Sequence, residues 1–245
     1  MTSTEERTMA AAALKVSDLS SGYGAALVIR NVSFEVGAGE IFTLLGKNGM
    51  GKSTLLKTLM GYLPAQTGSV QALGLPISGL PPHLIARRAI AYTPQEKALF
   101  QDLTVAENLQ LGLRDQARAP FEDGLRRIGE YFPVLVQRLK QKAGTLSGGE
   151  QKMLLVARGL MAQPSLLLID EISEGLQPSV ITRLAEVFRH ERERSGVSIL
   201  LVEQNVPFAL AVADRYAVLN LGEIVDQGQP DERDSLARIN RHLSI

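Results

Sequence analysis

The sequence lacks cysteine, an excess of charge of either sign, and any long apolar run. Without cysteine the chain has neither disulfides nor thiolate chemistry, which suits a reducing compartment. Lysine and arginine number 26 and so do aspartate and glutamate, so no overall basic field points to nucleic acid. No apolar run approaches the roughly 20 residues that cross a bilayer, so a membrane role must come through a partner.

The length of the chain allows one domain with a small insertion. Its 245 residues can bury a substantial core. Residues Met1–Ala13 are polar and then alanine-rich, with no hydrophobic signal core, which predicts a disordered lead-in. We therefore expect residues 14–245 to form the domain.

Strand and helix patterns alternate through most of the chain, and such alternation favours an α/β fold with parallel strands. Short apolar or alternating runs predict the strands. The predicted strands are Leu14–Leu19, Val32–Val36, Glu40–Leu45, Ser69–Leu73, Ala89–Thr93, Ser165–Asp170, Val197–Val202 and a hairpin of Tyr216–Asn220 with Glu223–Gln227. The predicted helices are Lys52–Met60, one led by Pro81-Pro82, one after Pro178 and one near Pro207–Ala213.

Between Gln95 and Thr145 the pattern predicts helices only. One of them opens at Thr104, where Glu107 three residues later completes a capping box. We interpret a block of about residues 95–150 as a helical subdomain inserted into the α/β sheet.

A glycine-rich loop follows the strand Glu40–Leu45 and leads into the helix Lys52–Met60. Its residues are Gly46, Lys47, Asn48, Gly49, Met50, Gly51, Lys52, Ser53 and Thr54, which fit the phosphate-loop pattern in the strand and helix context that this pattern requires. Glycines let backbone amides converge on phosphates, Lys52 can reach the β- and γ-phosphates, and the Ser53 hydroxyl can bind Mg²⁺.

A second strand ends in two carboxylates. Leu166–Ile169 is an apolar run, Asp170 closes it, and Glu171 follows. A buried strand capped by surface acids would look similar, but beside a phosphate loop the pair points to a nucleotide site. Asp170 is then near the metal, and Glu171 can polarise the attacking water.

A second candidate anion site lies at Leu146–Gln151. Ser147, Gly148 and Gly149 open what is predicted to be a helix, so a hydroxyl, bare N–H groups and a helix dipole meet there. The chain already has a complete phosphate loop. Two such sites in one short chain suggest two subunits that complete each other's nucleotide pockets.

The chain resembles the nucleotide-binding domain of ABC ATPases over roughly residues 14–227. The resemblance rests on the order of four motifs, which are the phosphate loop, Gln95, Leu146–Gln151 and Asp170-Glu171. The resemblance implies a P-loop core with an N-terminal antiparallel β region and the inserted helical subdomain, and ATP with Mg²⁺ as ligands. It implies adenine stacking on Tyr23. The implied metal contacts are Ser53, Gln95 and Asp170, and the implied contacts to the opposite subunit's ATP are Ser147, Gly148, Gly149 and Glu150.

Three residues depart from the common pattern of that family. Gln204 occupies the position of a histidine that contacts the γ-phosphate, and glutamine can donate a hydrogen bond but cannot become cationic. As a catalytic group, Gln204 should therefore stabilise the charge of the transition state more weakly than a histidine would. Ile172 replaces the usual proline, and Gln177 replaces an aspartate associated with communication between subunits.

Several segments are similar to the second ATPase subunit of bacterial branched-chain amino acid importers, where Gln204 would be ordinary. They are Gly79–His83, Leu103–Leu109, Glu174–Leu176 and Glu203–Asn205. Pro94-Gln95 and Gln177-Pro178 are closer to the urea and short-amide importers of the same group. The resemblance implies two permeases, a second non-identical ATPase, an indirect solute-binding protein, no nucleic acid, and a place at the cytoplasmic face of the cell membrane.

Two other classes of function stay open at the level of sequence. One is an ABC ATPase that acts on ribosomes or DNA, against which stand the single nucleotide domain, the lack of a long coiled coil and the neutral charge. The other is a regulatory subunit that binds ATP and hydrolyses it slowly, which Gln204 and Gln177 favour and Glu171 opposes.

Overall fold

The computed structural model of the chain describes residues 12–95, 99–113 and 121–243. The predicted lead-in lies outside them except for its last two residues. Ala13 is buried, its N–H donates to Val36 O at 2.8 Å, and its carbonyl accepts the N–H of Leu73 at 2.8 Å. The predicted boundary was therefore wrong at Ala13, because sheet pairing extends into the alanine run, which carries no strand periodicity of its own.

Strands and helices alternate along the described part of the chain, as predicted. The strands are β1 (Leu14–Tyr23), β2 (Ala26–Val36), β3 (Ile41–Leu45), β4 (Ala65–Ala72), β5 (Leu75–Pro76), β6 (Ile90–Thr93), β7 (Leu166–Asp170), β8 (Ser198–Glu203), β9 (Arg215–Asn220) and β10 (Glu223–Gly228). The helices are α1 (Lys52–Leu59), α2 (Pro82–Ala86), α3 (Val105–Gln110), α4 (Phe121–Tyr131), α5 (Pro133–Gln137), α6 (Gly148–Met161), α7 (Pro178–Ser195), α8 (Val206–Val212) and α9 (Ser235–Leu243).

Two sheets form the framework. The antiparallel sheet has the order β2-β1-β4-β5, and the larger sheet has the order β10-β9-β3-β8-β7-β6 with β10 as its antiparallel edge. The other strands of the larger sheet are parallel, so their carboxyl ends share one edge. Loops that begin at Gly46, Pro94, Glu171 and Gln204 therefore meet there, at the edge where α/β folds bind ligands.

The larger sheet separates two hydrophobic cores. Along β7 and β8, Leu168 and Leu200 pack under the antiparallel sheet and α1, while Leu167, Ile169 and Leu201 pack under α6 and α7. Because both faces are covered, β3, β7 and β8 are buried along their whole length. Their largely apolar sequences have this cause, although Thr43 of β3 is buried and polar.

The β1–β2 hairpin is longer than the sequence predicted. β1 continues past Leu19 to Tyr23, and β2 begins at Ala26. The register shifts after Val16 and again around Ser20, and these irregularities break the apolar alternation that a strand prediction relies on. Ser21 is buried at 0% exposure, where its hydroxyl donates to Pro64 O at 2.9 Å.

Within the described residues, the predicted helical block contains helices joined by loops and no strand, and an isolated β-bridge pairs Thr104 with Lys142. It contains α3, α4, α5 and a single 3₁₀ turn at Ala143–Thr145, and α6 begins within it and continues into the core. The capping box is present, since Glu107 N–H donates to Thr104 Oγ1 at 3.2 Å and Thr104 N–H donates to Glu107 Oε2 at 2.7 Å. Among the described residues, no helix is long and apolar enough to cross a membrane.

The sequence analysis missed helix α9. Ile239 on this helix is fully buried and belongs to a small cluster with Tyr216 and Val218 of β9. Arg238 lies on the outer side and pairs with Asp226 of β10 and, at 3.0 Å, with Glu232. The helix therefore covers the hairpin end of the larger sheet.

Candidate functional site

The phosphate loop leaves β3 at Gly46 and enters α1 at Lys52. Gly49 and Gly51 have left-handed backbones, with φ of 82° and 102°. Glycine suits the backbone conformation at Gly51, and a Cβ there would lie 2.8 Å from Ile29 Cδ1, so a larger residue would also have to displace that side chain. No side chain caps α1 at Gly51, so none competes with an anion for the first N–H groups of the helix.

The β9–β10 hairpin holds the loop from outside. The N–H of Gly222 donates to Met50 O at 3.1 Å, and the N–H of Leu221 donates to Met50 Sδ at 3.3 Å. The carbonyl of Gly222 accepts the N–H of Arg30 in β2 at 2.9 Å. A Cβ at Gly222 would lie 1.9 Å from Val28 O, so this close approach requires glycine.

The loop lysine and the second carboxylate form a buried ion pair. Lys52 Nζ lies 2.8 Å from Glu171 Oε1, and both side chains are 3% exposed. Lys52 Nζ also donates to Lys47 O at 2.7 Å. Buried ionisable groups are tolerated when they are paired and hydrogen-bonded, and each of these two side chains has a partner at hydrogen-bond distance. The structure thus joins the phosphate loop to the end of β7.

Asp170 presents a carboxylate oxygen that no other described residue satisfies. Its Oδ1 is buried without a hydrogen-bond partner, while Oδ2 accepts a long bond of 3.5 Å from Tyr92 Oη. Burial raises the pKa of Asp170 to about 6; a hydrogen bond with Ser53 opposes this shift, and the charge of Glu171 adds to it. A hard divalent cation would satisfy the buried Oδ1, and a carboxylate beside a hydroxyl is an all-oxygen donor set, so Asp170 and Ser53 fit Mg²⁺.

Glu171 has an unusual backbone and two further neighbours. Its φ is 43°, in the left-handed region, and its N–H donates to Val202 O at 2.8 Å. Gln95 Nε2 donates to Glu171 Oε2 at 2.8 Å and also to Glu174 Oε2 at 2.7 Å. The Gln95 carbonyl accepts Lys152 Nζ of α6 at 3.1 Å. Gln95 thus touches both the core and the helical subdomain.

Glu203 and Ser173 form a link that the sequence analysis missed. The N–H of Ser173 donates to Glu203 Oε1 at 3.0 Å, and its hydroxyl donates to Oε2 at 2.7 Å. Burial raises the pKa of Glu203, and the hydrogen bonds from Ser173 oppose this shift. Glu203 O also accepts the N–H of Gly46 at 3.1 Å. The spacing of these residues carries no signal, since 30 positions separate the two side chains.

Two predicted site residues lie at the rim of this edge. Gln204 follows β8 directly and is exposed. Tyr23 ends β1 opposite Ala26 and is 51% exposed. A tyrosine face open to solvent at a strand end is available for stacking. β2 continues from that hairpin to Ile29, which touches Gly51 of the phosphate loop.

The predicted second anion site is a helix start on the surface. Ser147 caps α6, where its hydroxyl accepts the N–H of Glu150 at 3.3 Å and its N–H donates to Glu150 Oε2 at 2.9 Å. These bonds lower the pKa of Glu150, which also pairs with Arg138 at 3.2 Å. Ser147 and Gly148 are exposed. The Glu150 side chain and the Ser147 hydroxyl are therefore engaged in the cap, Gly148 is open to solvent, and Gly149 is partly covered by Val180 of α7.

Comparisons with known proteins agree on one family. The family model described as ABC transporter matches residues 29–174, which include the phosphate loop and the carboxylates of Asp170 and Glu171. The chain is 45% identical to the high-affinity branched-chain amino acid transport ATP-binding protein BraG of Pseudomonas aeruginosa, over 86% of this chain and 91% of that protein. It is 36% identical to the lipopolysaccharide export system ATP-binding protein LptB of Escherichia coli, over 90% and 92%.

A solved structure supports the same fold. The structure of an ATP-binding subunit of an ABC transporter superposes with a TM-score of 0.79 at 29% identity, over 95% of each chain. The α/β fold with its antiparallel sheet and helical insertion is thereby confirmed, while the individual site residues stay predictions.

Proposed function

This chain belongs to the ABC transporter family and is an ATP-hydrolysing ATP-binding subunit, and from that premise we propose that it powers the import of branched-chain amino acids. The 45% identity to BraG supports this solute class over the lipopolysaccharide export of the more distant LptB. The local observation that carries the ATPase chemistry is the buried pair of Lys52 and Glu171 beside the unsatisfied oxygen of Asp170.

The proposed division of labour follows the geometry. The backbone N–H groups of Gly46–Thr54 and the Lys52 ammonium bind the phosphates of ATP. Glu171 accepts a proton from the attacking water, and Gln204 donates a hydrogen bond to the γ-phosphate. Ser53, Asp170 and Gln95 would hold Mg²⁺, which would supply positive charge to the phosphates.

A second subunit completes the site in this proposal. Ser147 and Gly148 are exposed and Gly149 is partly exposed at the start of α6, where they would contact the γ-phosphate held by an opposing subunit in a head-to-tail dimer. ATP closes the dimer and hydrolysis reopens it, which moves two permease subunits. We propose that the opposing ATPase is a non-identical chain, because Gln204 leaves this chain's own pocket without a cationic group at that position.

The permeases need a docking surface, for which we propose the groove beside β6, α1 and α6. It has a volume of about 1180 Å³, and Tyr62, Phe100 and Leu111 expose apolar surface along it. Arg158 adds a half-buried cation. A permease segment with apolar and acidic side chains fits this lining. Docking there would place the chain at the cytoplasmic face of the membrane, with the solute-binding protein on the opposite side.

This docking proposal can be tested by copurification. Phe100→Asp should reduce recovery of the permeases with this chain, since a charge would enter the apolar lining. Leu236→Asp, on α9 at comparable exposure, is the matched control and should leave recovery unchanged. Equal recovery of both variants would exclude the groove.

Transport in vesicles tests the solute class. The full transporter, with its permeases, second ATPase and binding protein, should accumulate labelled leucine in an ATP-dependent manner, and Lys52→Met should abolish accumulation. Accumulation of urea or acetamide instead would support the alternative favoured by Pro94-Gln95 and Gln177-Pro178. Leucine transport that persists unchanged with Lys52→Met would support a regulatory role for this subunit.

A further inference from the structure

We infer that Glu203 is a positioning residue, which holds Glu171 in place through Ser173. The inference deepens the proposed function, since it depends on Glu171 being the group that activates water. Glu203 lies at the end of β8, directly before Gln204, and its side chain points back into the protein toward the loop that follows β7.

The contact between the two loops is made by two hydrogen bonds to one carboxylate. Ser173 supplies both donors, with its N–H on Oε1 at 3.0 Å and its hydroxyl on Oε2 at 2.7 Å. Glu203 is 0% exposed and Ser173 is 5% exposed, so water does not compete for either bond. Both oxygens of the carboxylate are engaged, which fixes the position of Ser173 in distance and in direction.

Glu171 needs such support because its backbone conformation is unfavourable. A glutamate at φ 43° lies in a region that residues with a Cβ rarely adopt, and it stays there only if the surroundings enforce it. β8 supplies the enforcement at two successive residues. Val202 O accepts the N–H of Glu171, and the Glu203 carboxylate holds Ser173 two positions later. The turn that aims the Glu171 side chain is therefore held at both ends.

The same residue touches the phosphate loop through a different atom. Glu203 O, a backbone atom, accepts the N–H of Gly46 at 3.1 Å. Substitution of the Glu203 side chain removes the hold on Ser173 and leaves this backbone bond in place. Loss of the side chain should therefore impair hydrolysis without impairing the loop that binds ATP.

The experiment measures kcat, KM for ATP and binding of a fluorescent ATP analogue in the assembled transporter. Ser173→Ala removes the shorter hydrogen bond, and Glu203→Ala removes both. We expect kcat to fall roughly tenfold or more in these variants, with KM and analogue affinity within about twofold of wild type. Glu203→Gln can still accept from Ser173 N–H and donate to its hydroxyl, so it should restore kcat to within about threefold of wild type.

Ser198→Ala is the matched control for Ser173→Ala. Ser198 is a buried serine at the other end of β8, where its hydroxyl accepts the N–H of Gly39 at 2.9 Å. It should lower thermal stability without a selective loss of kcat. If Ser198→Ala and Ser173→Ala change kcat equally, or if KM rises in parallel with the fall in kcat, Glu203 is only structural. Should Glu203→Ala fail to fold, Ser173→Ala and Glu203→Gln still decide the matter.

Glu171→Gln separates this inference from the proposed function. If Glu171→Gln hydrolyses ATP at the wild-type rate, the assignment of Glu171 is wrong and Glu203 has nothing to position. If Glu171→Gln is inactive while Ser173→Ala and Glu203→Ala keep wild-type kcat, the ATPase proposal stands and the positioning role of Glu203 is refuted.

Discussion

The two predicted anion sites of this chain differ in burial and in how their side chains are bonded to the rest of the chain. At the phosphate-loop edge, Lys52 and Glu171 are buried and bonded to each other, and Glu203 binds Ser173 beneath them. At the start of α6, Ser147 is exposed and its bonds to Glu150 only complete the helix cap. The first site is organised within one chain, whereas the second would become a ligand site only against another subunit, as we propose.

This difference predicts which substitutions affect the single subunit and which affect only the assembled transporter. Substitutions at the buried site should change chemistry and stability in the isolated subunit. Apart from the stability of the helix cap, substitutions at the helix start should change turnover only when a second subunit is present. Variants at the two sites can therefore be ranked, and each tests one side of this division.

The largest effect is expected from Glu171→Gln. The amide keeps the shape of the side chain but cannot take a proton from water, so hydrolysis should fall about a thousandfold and an ATP-bound dimer should accumulate. Single-turnover hydrolysis and size-exclusion chromatography with ATP measure the two results. Glu174→Gln, the other carboxylate on Gln95, is the control and should stay within about fivefold of wild type. If Glu171→Gln hydrolyses ATP at the wild-type rate and forms no ATP-bound dimer, Glu171 is not the group that activates water.

A loss of about a hundredfold in turnover is expected from Lys52→Met, which removes the ammonium from the phosphates. The variant also leaves the buried Glu171 charge unpaired, so the free energy of unfolding should fall by about 3 kcal/mol. Adding Glu171→Gln should restore stability but not turnover, and urea denaturation would measure this. Lys57→Met, on the same helix and exposed, is the control. Unchanged turnover in Lys52→Met would refute the loop assignment.

Ser147→Asp should reduce turnover of the assembled transporter roughly tenfold or more, because a carboxylate would face the γ-phosphate of the opposing subunit. Aspartate still caps a helix, so the melting temperature should hold, whereas Ser147→Ala should lose about 1 kcal/mol of stability. ATP binding by the isolated chain should be unchanged in both. Wild-type turnover by the aspartate variant would show that this helix start meets no phosphate.

The smallest effect is expected from Gln204→His. Both side chains donate a hydrogen bond from the rim of the buried site, so turnover should rise or stay within about threefold of wild type. Gln204→Ala, which removes the donor, should lower steady-state hydrolysis further than the histidine does. If turnover is lost in Gln204→His but kept in Gln204→Ala, the pocket does not accept an imidazole in place of the amide.

The sequence predicted those parts of the fold and site whose signals are local. The phosphate loop lies within nine consecutive residues from Gly46 to Thr54, and the capping box at Thr104 within four. The buried strands β3 and β7 were predicted because burial on both faces leaves a short, largely apolar run. In each case the physical cause acts on neighbouring residues, so the pattern is visible before folding.

The parts that the sequence did not predict depend on contacts between distant residues. Ser173 meets Glu203 across 30 positions, and Gln95 meets Glu174 across 79. The extension of β1 to Tyr23 is stabilised by its partners β2 and β4, although bulges disturb its alternation. Helix α9 packs on β9 through Ile239. A short amphipathic segment does not indicate this contact in the sequence.

The bond from Gly222 to Met50 offers a way to follow motion of the phosphate loop without attaching a probe to the protein. It is a backbone bond at the tip of a hairpin, and glycine is required there, so side-chain variants elsewhere leave it in place. Exchange of the Gly222 amide hydrogen for deuterium should require the loop to leave the hairpin. Its rate, read by mass spectrometry or NMR, would report how often the loop opens in each variant, and ATP should slow it.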